Sequence, residues 1–179
     1  EAFHILEQRG IITSQQGKGR FLREIPISQL GEDKQEEMSK NLERYSLYEA
    51  YEVRQVLETK AMDLIVRNAT DSDLDEIETA YQTMLLRFAE TNTTTGEFEL
   101  HQLYAKKTGS VFMEQTLNIV LSTILEMMHT TSHNVMDMHQ VEEEKADHRR
   151  IIDALHKRDS SAAQQAMYDH IQHTLDILQ

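Results

Sequence analysis

Residues 71–90 read DSDLDEIETAYQTMLLRFAE, and this stretch predicts an amphipathic helix. Its apolar side chains recur every three or four residues and therefore share one helical face: Leu74, Ile77, Tyr81, Met84, Leu85 and Phe88. Asp71 stands where an N-terminal cap is expected, so we predict a helix over 72–89. The opposite face is polar, as expected for a helix that packs one side against a core.

The same periodicity runs through most of the chain downstream of residue 47. It predicts five further helices, over 48–68, 96–108, 111–131, 139–157 and 160–178. Ser110 is the expected cap of one of them, and Asp159 or Ser160 begins the last. Since no strand pattern follows residue 25, we predict an all-α fold class, an antiparallel bundle of six to seven helices. The interior of such a bundle is a usual place for metal and ligand sites.

The first 24 residues have a different pattern. The end of an amphipathic helix stops at Gly10, and two short β-capable runs then flank a basic tip that contains Lys18 and Arg20. This order is typical of the recognition-helix end and the β-hairpin wing of a winged helix, so Lys18 and Arg20 are predicted DNA contacts. Because the chain opens inside a helix without an initiator methionine, we expect a truncated winged helix that does not bind DNA by itself.

The predicted domain organisation has three parts. Residues 1–24 are a winged-helix remnant, residues 25–47 a polar linker with a short helix around 38–45, and residues 48–179 a helical domain. The formal net charge is −13, whereas residues 1–24 carry one more basic than acidic side chain. An acidic surface repels phosphates, which excludes a nucleic-acid interface for the greater part of the chain.

Two absences bound the class of protein further. The chain has no cysteine, which excludes disulfides, thiolate metal sites and cysteine nucleophiles and suits a cytoplasmic location. It also has no signal-peptide pattern and no apolar run of roughly 18 residues, so we expect no membrane span.

Three histidines and one acid fall on the apolar faces of predicted helices. Glu97 and His101 are four residues apart on one helix face, and His148 and His170 lie on two later helices. Imidazole and carboxylate ligands in this number predict a site for a divalent transition metal. The alternative is three unrelated core histidines, each with its own hydrogen bond. The joint pattern favours the metal, because burying three imidazoles and an acid without a shared purpose is costly.

Several motifs resemble those of GntR-type transcriptional regulators of the FadR subfamily, which carry an FCD effector domain. Residues 1–12 and 17–22 resemble the end of the winged-helix signature, and residues 52–58, EVRQVLE, resemble the opening motif of the FCD domain. Residues 69–74 and 154–162 fit the same domain. The resemblance covers essentially the whole chain.

The resemblance implies a function for the four polar residues. FCD domains of this type hold a metal with an Asp and a His four residues apart and two later histidines, which correspond to Glu97, His101, His148 and His170. Glu97 departs from the family because it is one methylene longer than Asp. Zn, Ni and Mn all suit such a donor set. The resemblance further implies a small organic-acid effector, a homodimer, a cytoplasmic location and operator DNA as partner of the full winged helix.

Three further residues are predicted to bind the effector. Arg54 suits a carboxylate because its guanidinium donates two parallel hydrogen bonds, although it also stands four residues before Glu58 and would form an ordinary ion pair there. His129 and His133 are four residues apart in a polar stretch, where we expect them to face an effector cavity rather than hold a second metal.

Two other classes of protein compete with a regulator. One is a metal-dependent helical enzyme, and the other is an oligomerisation domain stapled by a metal. The sequence contains no HExxH motif, no pair of Glu-x-x-His motifs within the predicted bundle and no phosphate-binding glycine loop. We therefore expect no enzymatic activity, and the basic hairpin ahead of an acidic bundle favours a DNA-binding regulator.

Overall fold

The computed structural model of the chain describes residues 12–15, 19–22, 32–91, 95–131 and 138–178. Two compact units divide the chain, residues 1–41 and residues 42–179. The first unit contains an antiparallel hairpin of β1 (Ile12–Gln15) and β2 (Gly19–Leu22). Its two strands agree with the predicted wing. The predicted recognition-helix remnant and Lys18 lie outside the described residues.

Six helices make up the rest of the described chain. They are α1 (Glu32–Asn68), α2 (Asp71–Thr91), α3 (Thr95–Lys107), α4 (Val111–Thr131), α5 (Met138–His156) and α6 (Ser160–Leu178). Consecutive helices pack against each other along α2–α3, α3–α4 and α5–α6, and α2 also packs against α5. The prediction of an all-α bundle is confirmed. No helix in the described ranges is long and apolar enough to cross a membrane.

The start of α1 corrects the sequence-based prediction. A polar linker up to residue 47 with a separate short helix over 38–45 was expected, whereas one continuous helix begins at Glu32. After Gly31 there is no glycine or proline until Gly96, and the intervening Glu, Lys, Gln and Met residues favour helix. High polarity was therefore misread as irregular structure. The predicted domain limits of 24 and 47 stay predictions.

The helix caps were predicted with one error. Thr70, not Asp71, caps α2: the Asp73 N–H donates to Thr70 Oγ1 at 3.2 Å, and the Thr70 N–H donates to Asp73 Oδ2 at 2.8 Å. This reciprocal pair is a capping box. Ser110 and Asp159 accept hydrogen bonds from backbone N–H groups three residues downstream at 3.3 and 2.9 Å, which confirms both as caps.

The core of the bundle is apolar over most of its extent. Fully buried side chains include Ile65, Ile77, Met84, Leu100, Leu117, Leu121, Ile124, Ile151 and Ile152. Burial of such side chains stabilises a domain by about 1.5–3 kcal/mol each before the entropy cost is subtracted. One region breaks the pattern with a group of buried ionisable side chains: Arg54, Glu58, Glu97, His101, Glu144, Asp147, His148 and His170.

Candidate metal centre

The bundle brings together the four residues predicted as metal ligands. Glu97 and His101 lie one turn apart on α3, His148 lies on α5, and His170 lies on α6. All four are between 0% and 5% exposed, and each contributes one donor atom to a group in which all atoms lie within 4.8 Å of one another. Side chains from three helices therefore meet at one point in the interior.

Three of the donor atoms have the spacing of ligands on a common ion. His101 Nε2 lies 3.2 Å from His170 Nε2 and 3.5 Å from Glu97 Oε1, and His170 Nε2 lies 3.9 Å from the same oxygen. The point equidistant from the corners of this triangle is about 2.1 Å from each atom, within the range of zinc bonds to nitrogen and oxygen. The donor set therefore fits a transition-metal ion without rearrangement of these three residues.

His148 supplies an independent indication of a missing partner. Both of its ring nitrogens are buried and have no hydrogen-bond partner among the residues that the structure describes. Its Nε2 lies 3.1 Å from Glu144 Oε1, but the two atoms are not aligned for a hydrogen bond, and that oxygen has no partner either. A buried polar atom left unpaired costs about 1–3 kcal/mol. A metal ion bound at one ring nitrogen would remove part of this penalty.

A chain of hydrogen bonds fixes two of the four residues from behind. His101 Nδ1 is hydrogen-bonded to Glu58 Oε2, and Glu58 Oε1 accepts a 2.7 Å bond from Arg54 Nε. Arg54 Nη2 donates to Glu97 Oε1 at 3.0 Å. Because a carboxylate accepts at His101 Nδ1, the proton sits on that nitrogen and Nε2 keeps its lone pair toward the other ligands.

Two more acids stand on the far side of His170. Its Nδ1 lies 3.5 Å from Glu144 Oε1 and 3.7 Å from Asp147 Oδ2. Asp147 is also paired with His173 Nδ1 at 2.7 Å and with Arg150. The side chain of His173 is 47% exposed.

The buried charges do not balance in the protein alone. Glu58, Glu97 and Glu144 are three buried acids, and Arg54 is the cation within hydrogen-bond distance of two of them. Ionised, these four side chains carry two negative charges in excess in a region where uncompensated charge is costly. A divalent cation at the centre would cancel that excess.

Burial and the neighbouring charges shift the pKa values of the site. Burial, reinforced by the negative charge of Glu144, raises the pKa of Glu97. Burial, reinforced by the negative charge of Asp147, raises the pKa of Glu144. Burial lowers the pKa of His148 to about 3 and that of His101 well below its ordinary value. Burial acts in the same direction on His170 and is the largest single influence, but Glu144, Asp147 and Glu97 together outweigh it and the pKa of His170 is raised. Neutral His101 and His148 are the form that binds a metal.

Sequence reasoning missed the acids behind the ligands. Glu58, Glu144 and Asp147 were not predicted as part of the site. A signal for Glu144 was present, because it precedes His148 by four residues just as Glu97 precedes His101. The sequence contains no comparable signal for Glu58. Its spacing of four residues from Arg54 is equally typical of an ion pair on the surface of a helix.

The predicted effector and DNA residues are placed as follows. Arg54 forms the ion pair with Glu58 that was weighed as its alternative role, and the pair is buried rather than exposed. His129 belongs to α4 and Arg20 to β2, but their side chains lie outside the described part of the structure. His133 and Lys18 lie outside the described residues altogether. The roles predicted for these residues stay predictions.

The fold and the buried site together define a helical effector domain, and comparison with known proteins identifies its family. The FCD domain family matches residues 49–173, so the chain belongs to that family. The HTH-type transcriptional regulator LutR of Bacillus subtilis (strain 168) is 25% identical over 183 residues, a match that covers 99% of this chain and 82% of LutR.

Two solved structures with similar folds can be compared with this chain. A Streptococcus agalactiae GntR superposes with a TM-score of 0.62 at 20% identity, and the match covers 98% of this chain and 78% of that protein. E. coli McbR/YncC superposes with a TM-score of 0.61 at 15% identity, covering 99% and 81%. The FCD match, the similarity to LutR and the shared fold together support a GntR-family transcriptional regulator with an FCD effector domain.

Proposed function

We propose that the FCD domain of this regulator binds one divalent transition-metal ion through Glu97, His101, His148 and His170. One observation carries the proposal: three imidazoles and a carboxylate converge in the core, where His148 has no hydrogen-bond partner within the described part of the chain. Ionised Glu58, Glu97 and Glu144 together carry two negative charges more than Arg54 neutralises, which favours a cation at this point. Ordinary core histidines would each have an individual hydrogen-bond partner instead.

The ion in turn favours a small carboxylate metabolite as the effector. Four protein ligands leave one or two positions open on a five- or six-coordinate ion, and the ion supplies there the positive charge that attracts a carboxylate oxygen. Arg54, His129 and His133 are the side chains that we propose to contact the effector. Arg54 already holds Glu58 and Glu97, so an effector that reaches it would also act on the ligand acid.

The metabolite acts on transcription through the DNA-binding domain. We propose that its binding changes the arrangement of the helices and thereby the affinity of a homodimer for operator DNA. Lys18 and Arg20 of the hairpin would contact the phosphates or the groove. The protein would carry out this function in the cytoplasm.

The donor set narrows the choice of ion without deciding it. Three imidazoles with one carboxylate suit Zn, Ni and Mn, and availability in the cell decides among ions that one site accepts. Glu97 Oε1 lies 3.5 Å from His101 Nε2 and 3.9 Å from His170 Nε2, and Arg54 Nη2 donates to this oxygen at 3.0 Å. That hydrogen bond would help to orient the oxygen toward the ion.

Elemental analysis of the untagged protein tests the proposal. We expect about one equivalent of a transition metal in the wild type and in His156→Ala, which removes a histidine from an exposed position. His148→Ala is expected to retain little metal, because it loses the ligand that has no other partner. Absence of metal from all three proteins, persisting after incubation with Zn, Ni or Mn, would contradict the proposal.

A second measurement separates a regulatory site from a metal that only stabilises the fold. Metal-loaded protein is titrated calorimetrically with small di- and tricarboxylates such as citrate. Binding that requires the metal is expected for a regulator. A protein that binds the metal but none of a broad carboxylate panel would support a structural metal instead.

A further inference from the structure

The three histidine ligands differ in whether a neighbouring side chain forms a hydrogen bond to the ring. This difference draws attention to a residue outside the four proposed ligands. His101 is the ligand whose far ring nitrogen is hydrogen-bonded, through Nδ1 to Glu58 Oε2. His148 Nε2 and the far nitrogen of His170, Nδ1, lie 3.1 and 3.5 Å from Glu144 Oε1, and neither forms a hydrogen bond within the described residues. An acid from α1, which supplies none of the four ligands, therefore controls a ligand on α3.

We propose that Glu58 is a positioning residue for the metal site: it holds His101 in the tautomer that presents Nε2 to the ion. The inference rests on the metal-binding function proposed above. A neutral imidazole carries its proton on one of two nitrogens, and only the other can bind a metal. An acceptor at Nδ1 selects the Nδ1–H form and keeps the ring orientation fixed.

Arg54 makes this arrangement rigid. Its Nε donates to the second oxygen of Glu58 at 2.7 Å, and its Nη2 donates to Glu97 Oε1 at 3.0 Å. The guanidinium is planar, so the directions of the two bonds are linked. Arg54 is 1% exposed and Glu58 0% exposed, which prevents water from replacing either partner. One residue pair on α1 thus fixes both α3 ligands, Glu97 directly and His101 through Glu58.

The variant Glu58→Gln tests the role of the carboxylate. An amide has one oxygen to accept with, so it cannot accept bonds from both Arg54 Nε and His101 Nδ1–H in the present geometry. We expect the affinity for Zn²⁺, measured by competition with a chromophoric chelator, to fall by about 10–100-fold. Glu52→Gln removes an exposed acid from the same helix and is expected to bind Zn²⁺ like the wild type.

Nitrogen-15 NMR of the metal-free wild type provides a readout that a general loss of stability would not produce. The His101 ring should show the proton on Nδ1 and none on Nε2. This measurement needs no variant and therefore decides the proposal even if Glu58→Gln fails to fold. A proton on His101 Nε2 would overturn it.

The outcomes separate this inference from the function on which it rests. A wild type that binds Zn²⁺ while Glu58→Gln binds it within twofold would overturn the role of Glu58 and leave the metal site intact. A wild type that binds none of Zn²⁺, Ni²⁺ and Mn²⁺ would overturn both. The inference would be supported if Glu58→Gln bound Zn²⁺ more weakly while Glu52→Gln did not, and if His101 of the wild type had the Nδ1–H tautomer.

Discussion

The bundle contains two networks of ion pairs, one around Arg149 and one around Arg54, which differ in their exposure to solvent. Arg149 on α5 donates to both oxygens of Glu78 on α2 at 2.9 Å each and pairs with Asp153 at 2.8 Å, with 36% of its side chain exposed. Arg54 also holds two acids at similar distances, but it is 1% exposed. The two networks have nearly the same chemistry in different surroundings.

The two networks differ in how their excess charge is compensated. Water and salt screen any imbalance around Arg149, so its acids need no further partner. The buried network contains a third acid, Glu144, and two buried nitrogens of His148 for which the described residues supply no hydrogen-bond partner. A buried charge without compensation is not retained for stability, since apolar residues of similar volume serve a core as well or better. The buried network is therefore best explained as part of a ligand site.

The largest expected difference between the two networks is in stability. Arg54→Ala leaves two buried acids without their cation and is expected to lower the free energy of unfolding of the metal-free protein by about 3–5 kcal/mol. Arg149→Ala breaks screened pairs and is expected to cost about 1 kcal/mol or less. Urea denaturation at pH 7 with a chelator measures both. Equal losses would show that the Arg54 network is not electrostatically isolated from solvent.

Metal addition should act on one network only. Free Zn²⁺ at one hundred times its dissociation constant stabilises a folded protein by about 2.7 kcal/mol, which raises Tm by about 5–11 °C at this chain length. We expect this shift in the wild type and in Glu78→Gln, which disrupts the exposed network. His148→Ala should show little shift in differential scanning fluorimetry. An equal shift in His148→Ala would place the ion elsewhere.

The two networks should also respond oppositely to pH, with a smaller effect. The hydrogen bond from Arg149 holds the pKa of Glu78 below its ordinary value, so its stabilising effect is present above the unfolded pKa and is lost as the pH falls through the lower folded pKa. Burial raises the pKa of Glu144, so its contribution is present below the unfolded pKa and is lost as the pH rises through the folded pKa.

Gln variants isolate these two contributions in the metal-free protein. Glu78→Gln should be less stable than the wild type at pH 7, and the gap should close as the pH is lowered through the folded pKa of Glu78. Glu144→Gln imitates the protonated acid and should gain stability relative to the wild type as the pH rises. Chemical denaturation between pH 4 and pH 8 measures both gaps. Gaps that change in the same direction would refute the contrast between the networks.

Much of the fold followed from the sequence because helix periodicity is a local signal. The spacing of Leu74, Ile77 and Tyr81 determines which face of α2 is buried, whatever the helix packs against. Ser110 and Asp159 were recognisable as caps for the same reason. The start of α1 at Glu32 was missed because a polar helix has no apolar stripe to mark it. Thr70 was missed because its capping role depends on the reciprocal bond with Asp73.

The site was predictable only in part. Glu97, His101, His148 and His170 stand at apolar-face positions, so their inward direction could be inferred from each helix alone. Whether Glu58 meets His101 depends on the rotation of α1 relative to α3, which is a property of tertiary packing. The role of Arg54 was left open between an effector contact and an ion pair with Glu58, and the structure shows the ion pair in a buried setting.

X-ray absorption at the metal edge of the loaded protein determines which atoms bind the ion. We predict a first shell of nitrogen and oxygen at about 2.0–2.2 Å with the outer-shell scattering of three imidazoles. His148→Ala should lose one imidazole or the metal itself, whereas His156→Ala should give the wild-type spectrum. A shell of oxygen alone, or an imidazole count that His148→Ala does not change, would contradict a metal centre at these four residues.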